Sequence, residues 1–183
     1  GKKISCYNDL RSALIVYVQK AASKMRTSNL FCRTVTIFLK TSKYESNVYK
    51  NSRTYKLIEP TIDLRLIWKI SDEILRDIYK KSFLYSKVGV ILSDFYKKES
   101  IQRSLIDDDL NNNIPKQNEV KIMKLIDVIN NRFGYGKLRL SSDFDQNFFS
   151  KEKNNKKLSW QMRSEYRSPC YTTSWCDIPK VKV

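Results

Sequence analysis

The chain has 183 residues, with 35 lysines and arginines against 19 aspartates and glutamates, and a formal net charge of +16. At 41% hydrophobic and 12% aromatic residues it is too apolar for wholesale disorder, and it shows neither a signal segment nor an apolar run long enough to cross a bilayer. Composition predicts a soluble, intracellular, cytoplasmic protein whose positive charge favours a polyanionic partner, nucleic acid before membrane.

The first residues, "KKISC", read as a short strand, and a chain that begins on Gly1 inside a strand reads as a fragment of a longer protein. Residues 9–26 place Leu10, Ala13, Leu14, Tyr17, Val18, Ala21, Ala22 and Met25 at spacings of three and four, which predicts a helix capped by Asn8 or Asp9. "FCRTVTIFLKTS" alternates instead: Arg33, Val35, Ile37 and Leu39 fall on one side, Thr34, Thr36, Phe38 and Lys40 on the other. A second strand is predicted over "YKNSRTYKLI", ended by Pro60. Asp63 then opens a helix with Leu64, Ile67, Trp68, Ser71, Ile74, Leu75 and Ile78 on one face, and "YSKVGVILSDFY" closes the unit as a strand.

Strand, helix, strand, strand, helix, strand is the order of an α+β, ferredoxin-like split βαβ fold: a four-stranded sheet with both helices on one face. The opposite face is left free to meet a ligand. Residues 1–98 form this unit, 99–117 a polar linker, and 118–183 a small α/β C-terminal unit with a helix over 120–133 stopped by Gly134, a short strand "GKLRLS", and a tail without periodicity. In that helix Val120, Met123, Ile126 or Leu125, Ile129 and Phe133 are predicted to point inward. Of the charge, residues 1–100 hold 20 basic and 9 acidic side chains, so the first unit carries most of the field.

The usual catalytic constellations are missing. The chain has no histidine for proton transfer and only four glycines, none arranged as a phosphate loop. Asp107–Asp109 and the pair Asp143 and Asp145 are the dense carboxylates, but both fall in predicted linkers, where a metal lacks a rigid frame. Neither a catalytic residue nor a metal site is therefore predicted in this chain. Cys6, Cys32, Cys170 and Cys176 form no Cys-x-x-Cys pair and read as reduced thiols.

The order "GKKISCY", "FCRTVTIFLKTS", "SRTYKL", helix, "YSKVGVILSDF" resembles the little finger domain of the Y-family translesion DNA polymerases. The tail "WQMRSEYRSPCYTTSWCDIPKV" resembles the C-terminal end of the UmuC group within that family. The resemblance implies an error-prone polymerase acting at damaged templates in the SOS response, with processed UmuD and the RecA filament as partners. It also implies that the catalytic carboxylates and their Mg²⁺ belong to a palm domain this sequence lacks, so the chain is the accessory half and holds no cofactor.

A little finger meets duplex DNA through its open sheet face. The resemblance carries that role to Arg53 and Thr54, in a basic-Thr-aromatic element ending at Tyr55, and to Lys87 and Gly89 in "KVGV". Lys40, Arg33, Lys2 and Lys3 are further candidates. Gly89, with no side chain, would let a phosphate approach the backbone. Contacts are expected to the DNA backbone and not to base edges. In the linker, "QRSLI" resembles the family's sliding-clamp peptide, with Gln102, Leu105 and Ile106 as anchors and Ile106 replacing an aromatic at a cost of about 1–2 kcal/mol. Trp160, Met162, Pro169, Tyr171 and Trp175 match the family tail and read as packing anchors. Two other readings compete: a truncated remnant that only binds DNA or protein, and an RNA-binding module, the latter disfavoured because "CRTVTIFL" lacks the expected stacking aromatics.

Overall fold

The computed structural model describes residues 3–44, 47–97, 100, 115–134, 137–138 and 140. Helix α1, Tyr7–Thr27, forms on the predicted stripe, with Leu10, Leu14, Val18, Ala22 and Met25 buried. Its inward arc takes in Ile15 and leaves Tyr17 exposed. Cys6 is its N-cap and makes no side-chain capping bond, so neither Asn8 nor Asp9 caps it. Asp9 instead sits in the first turn and Lys24 and Arg26 in the last, each complementing the helix dipole.

Strands β1 (Leu30–Thr41), β2 (Lys50–Thr61) and β3 (Tyr85–Lys97) form an antiparallel sheet in the order β2-β1-β3. β2 runs through Pro60, which the sequence reading makes a terminator. It is an edge strand, where a residue without an N–H breaks no ladder, and its register against β1 has already shifted between Cys32 and Thr34.

The predicted fourth strand is a single bridge among the described residues. Ile4 donates to the Tyr85 carbonyl at 3.0 Å and accepts from the Tyr85 N–H at 2.8 Å. The pairing ends there because Cys6 already caps α1, and because Tyr85 is the first residue of β3, leaving nothing in the strand for Ser5 to pair with. The ferredoxin-like arrangement is thus three strands plus one bridge.

Helix α2, Leu64–Ile78, starts at Asp63, whose carboxylate accepts from the Arg65 N–H at 2.9 Å. Its face of Leu64, Ile67, Trp68, Ile74, Leu75 and Ile78 is buried, as the spacing predicts. Both helices lie on one side of the sheet, their apolar faces meeting Val35, Ile37 and Leu39 of β1 in one core. Asp72, almost buried, ties the two helices: it accepts from Arg11 Nε of α1 at 2.7 Å and from Arg76 at 2.9 Å.

Helix α3, Pro115–Phe133, opens on a proline, which the first helical position tolerates, and stops at Gly134 with φ 102°. Met123 is fully buried in the same core as the sheet unit, and the Leu64 N–H donates to its Sδ at 3.5 Å. Ile126 packs inward and Leu125 and Phe133 do not. Lys137 and Leu138, from the predicted strand "GKLRLS", form a turn: the Leu138 N–H donates to Asn130 Oδ1 at 2.8 Å and Asn130 Nδ2 donates to the Leu138 carbonyl at 3.1 Å. The clamp-like peptide, the acidic clusters, Cys170, Cys176 and the tail lie outside the described residues.

Candidate nucleic-acid interface

With Val35, Ile37 and Leu39 buried beneath the helices, strand geometry sends Thr34, Thr36, Phe38 and Lys40 to the other face. Cross-strand partners share a face, so the register extends this set into four rows. They read Lys50, Lys40, Lys87; Ser52, Phe38, Gly89; Thr54, Thr36, Ile91; and Lys56, Thr34, Ser93. Lys50, Ser52, Thr54, Lys56, Lys87 and Ile91 are exposed, so this face is open. The hydroxyls of Thr36 and Thr54 meet at 2.8 Å across it.

The first row sets three ammonium groups side by side, one from each strand. Directly opposed side chains have Cβ atoms about 5 Å apart, and like charges so placed oppose pairing. The described residues place no carboxylate in this row; Asp94 lies near Lys56 at the far end, at 4.0 Å. The row therefore invites an anion and its relief would come with binding.

Lys40, Lys87 and Thr54 stand on the open face, as a DNA-contact role requires. Arg53 does not. Its partner is Ile37, so it turns to the helix side, where Nη1 donates to Asp77 Oδ2 of α2 at 2.5 Å while the side chain stays 60% exposed. Tyr55, opposite Val35, lies on that side too. Arg33 sits at the register shift and its Nε donates to the Leu57 carbonyl at 3.0 Å, serving a backbone group the irregular pairing leaves open. Lys3 is exposed beside the bridge at Ile4, and Lys2 lies outside the described residues.

Gly89 is on the open face but buried. The ring of Phe38 covers it: a Cβ there would lie 2.4 Å from Phe38 Cζ and 2.6 Å from Cε1. The missing side chain thus accommodates a cross-strand aromatic. The sequence reading overlooked Lys50 and Lys56, although Lys50, Ser52, Thr54 and Lys56 share one parity in β2.

No described group is set up for nucleophilic or acid-base chemistry at this face. Burial pushes the Cys32 thiol, behind the sheet, up to about 11, so it is neutral at physiological pH.

The fold and this face define an α+β module of the little-finger type, with a lysine row at one end of an otherwise polar open sheet. Residues 1–105 match the impB/mucB/samB family C-terminal domain, and residues 120–181 match a domain of unknown function (DUF4113). The chain belongs to the impB/mucB/samB family. It is 32% identical over 184 positions to Protein UmuC of Salmonella typhimurium, covering 100% of this chain and 40% of that protein. It is likewise 31% identical over 185 positions to Protein ImpB of the same organism, 100% of this chain and 40% of that protein. To Protein MucB of Escherichia coli it is 32% identical over 181 positions, 98% of this chain and 39% of that protein. The chain spans about two fifths of the length of the curated relatives it matches. Among the described residues no helix is long and apolar enough to cross a membrane.

Proposed function

We propose that this chain is the DNA-gripping and clamp-tethering portion of a UmuC-like, error-prone translesion DNA polymerase acting in SOS mutagenesis and repair. The observation that carries it is the row Lys50, Lys40, Lys87 across an uncovered sheet face. Three opposed lysines gain most from a regularly charged polyanion, and a duplex backbone offers phosphates at a matching density. Thr36 and Thr54 add hydroxyl donors to phosphate oxygens, and Arg53 reaches a backbone from the sheet edge by leaving Asp77. Lys3, Lys2 and Arg33 contribute to the field more than to fixed contacts. At Gly89 a phosphate would meet the edge of Phe38 before it met the glycine backbone.

Binding to primer-template DNA is expected to be independent of sequence and to weaken steeply with salt. Replacing Lys40, Lys50 and Lys87 by alanine together is expected to weaken binding at least about tenfold and to lower the salt slope by about three, one per lost phosphate contact. Lys69→Ala, exposed on α2 at the helix side, is the control expected to change neither. An unchanged slope in the triple variant overturns the reading.

In the same proposal Gln102, Leu105 and Ile106 dock on the sliding clamp. Processed UmuD and the RecA filament are partners of the assembled polymerase, and Mg²⁺ is held by the palm outside this sequence. Clamp affinity measured for Gln102→Ala with Leu105→Ala is expected to fall at least about tenfold, as loss of two anchors implies; equal affinity ends the docking proposal.

A further inference from the structure

Helix α3 carries two apolar stripes, and the described fold covers one. Inward, Met123 is buried, Ile126 joins the core, and both carboxylate oxygens of Asp127 receive Arg26 at 2.7 Å. About 100° round the helix, Ile122, Leu125, Ile129 and Phe133 recur at spacings of three, four and four, the pattern of a face that meets a partner. Leu125 and Phe133 are each 60% exposed and Ile122 40%. Single exposed apolar side chains are ordinary; an ordered stripe of them on one helix marks an interface.

We propose that this outer stripe seats the chain's own C-terminal segment, residues 158–183. Helix α3 is then held between α1 and α2 on one side and the tail on the other. One family match spans residues 120–181, joining α3 and the tail in a single unit apart from the sheet module. The chain also leaves α3 close to the stripe, because Asn130 pins Leu138 to the helix and Leu140 packs on the core. The tail supplies the chemistry: Trp160, Met162, Tyr171 and Trp175 are large apolar anchors with neither helical nor strand periodicity, which suits a segment packing on a preformed surface. A tether of about 20 residues from Leu140 holds these anchors at an effective concentration on the order of millimolar, well above that of a second copy in dilute solution.

Hydrogen exchange on the full chain tests this, and its outcome is independent of DNA binding. Amides of residues 158–178 are expected to exchange at least about tenfold more slowly than in an unstructured peptide. Leu125→Gln, at an exposed position that does not hold α3 on the core, is expected to abolish that protection. Lys124→Gln, on the polar side, is expected to keep it, and Trp175→Ala to raise exchange through the rest of the tail. Protection independent of protein concentration supports docking within one chain. Unprotected tail amides in the wild type, protection that survives Leu125→Gln, or protection that rises with concentration would each overturn the proposal.

Discussion

A methyl group at Gly89 would lie 2.4 Å from Cζ of Phe38, a distance no carbon pair tolerates, so any side chain there displaces the ring. The ring end is able to swing outward, which keeps the cost moderate. Gly89→Ala is expected to destabilise by about 1 kcal/mol, a drop of about 2–4 °C in Tm. Adding Phe38→Leu should recover most of it, and a double-mutant cycle by thermal unfolding checks the coupling. The displaced ring would rise into the lysine-lined face, so Gly89→Ala is also expected to weaken DNA binding without altering its salt slope, since no charge is lost. This pairing was not legible in the sequence, because which residue faces Gly89 is set by a register between strands some fifty residues apart. Arg53 and Thr54 teach the converse. They are neighbours on a strand, so one pleat sends them to opposite faces, and a three-residue motif cannot act as one contact. Lys50 and Lys56 were within reach of that same period-two rule once β2 was recognised.

At the scale of elements, α3 is joined to α1 by Arg26 and Asp127. The Arg26 side chain is 7% exposed and its Nη1 has no partner among the described residues, while Nε and Nη2 each donate to Asp127 at 2.7 Å. Removing the carboxylate strands a buried cation. Asp127→Ala is expected to cost about 2 kcal/mol or more in chemical denaturation, and Arg26→Met with Asp127→Leu less than Asp127→Ala alone, because the apolar pair leaves no unpaired charge. A double variant worse than either single change would mean the bidentate geometry contributes more than its desolvation removes. The elements themselves were largely legible: Val35, Ile37 and Leu39 alternate, and the α2 stripe from Leu64 to Ile78 is buried as its spacing requires. What escaped were ends and irregularities. Pro60 stays in β2 because that strand is an edge, the Cys32/Thr34 register shift redirects Arg33, and Ile4 makes one bridge where a strand was predicted. Each depends on a neighbour's position that local pattern does not carry.

Across the whole molecule, the two family matches divide the chain between β3 and α3, yet the core does not divide there. Met123, in the second match, has no exposed surface and lies in one cluster with Leu64 and Met25 of the first. A boundary between matched segments is therefore not a boundary in folding. Met123→Ala opens a cavity where α3 meets the α1–α2 layer and removes the sulfur acceptor of the Leu64 N–H, a loss of about 2–4 kcal/mol for a methionine truncated in a core. If α1, α2 and α3 share that core, the loss spreads over all three, and hydrogen exchange of their amides is expected to accelerate by a common factor. Acceleration confined to α3 would make it a separately unfolding attachment. Shared acceleration means the polypeptide from Lys97 to Pro115, with Gln102, Leu105 and Ile106 in it, is anchored at both ends on one body. A clamp held by that segment would then be tied to the DNA-gripping sheet at a distance limited by the linker's own reach.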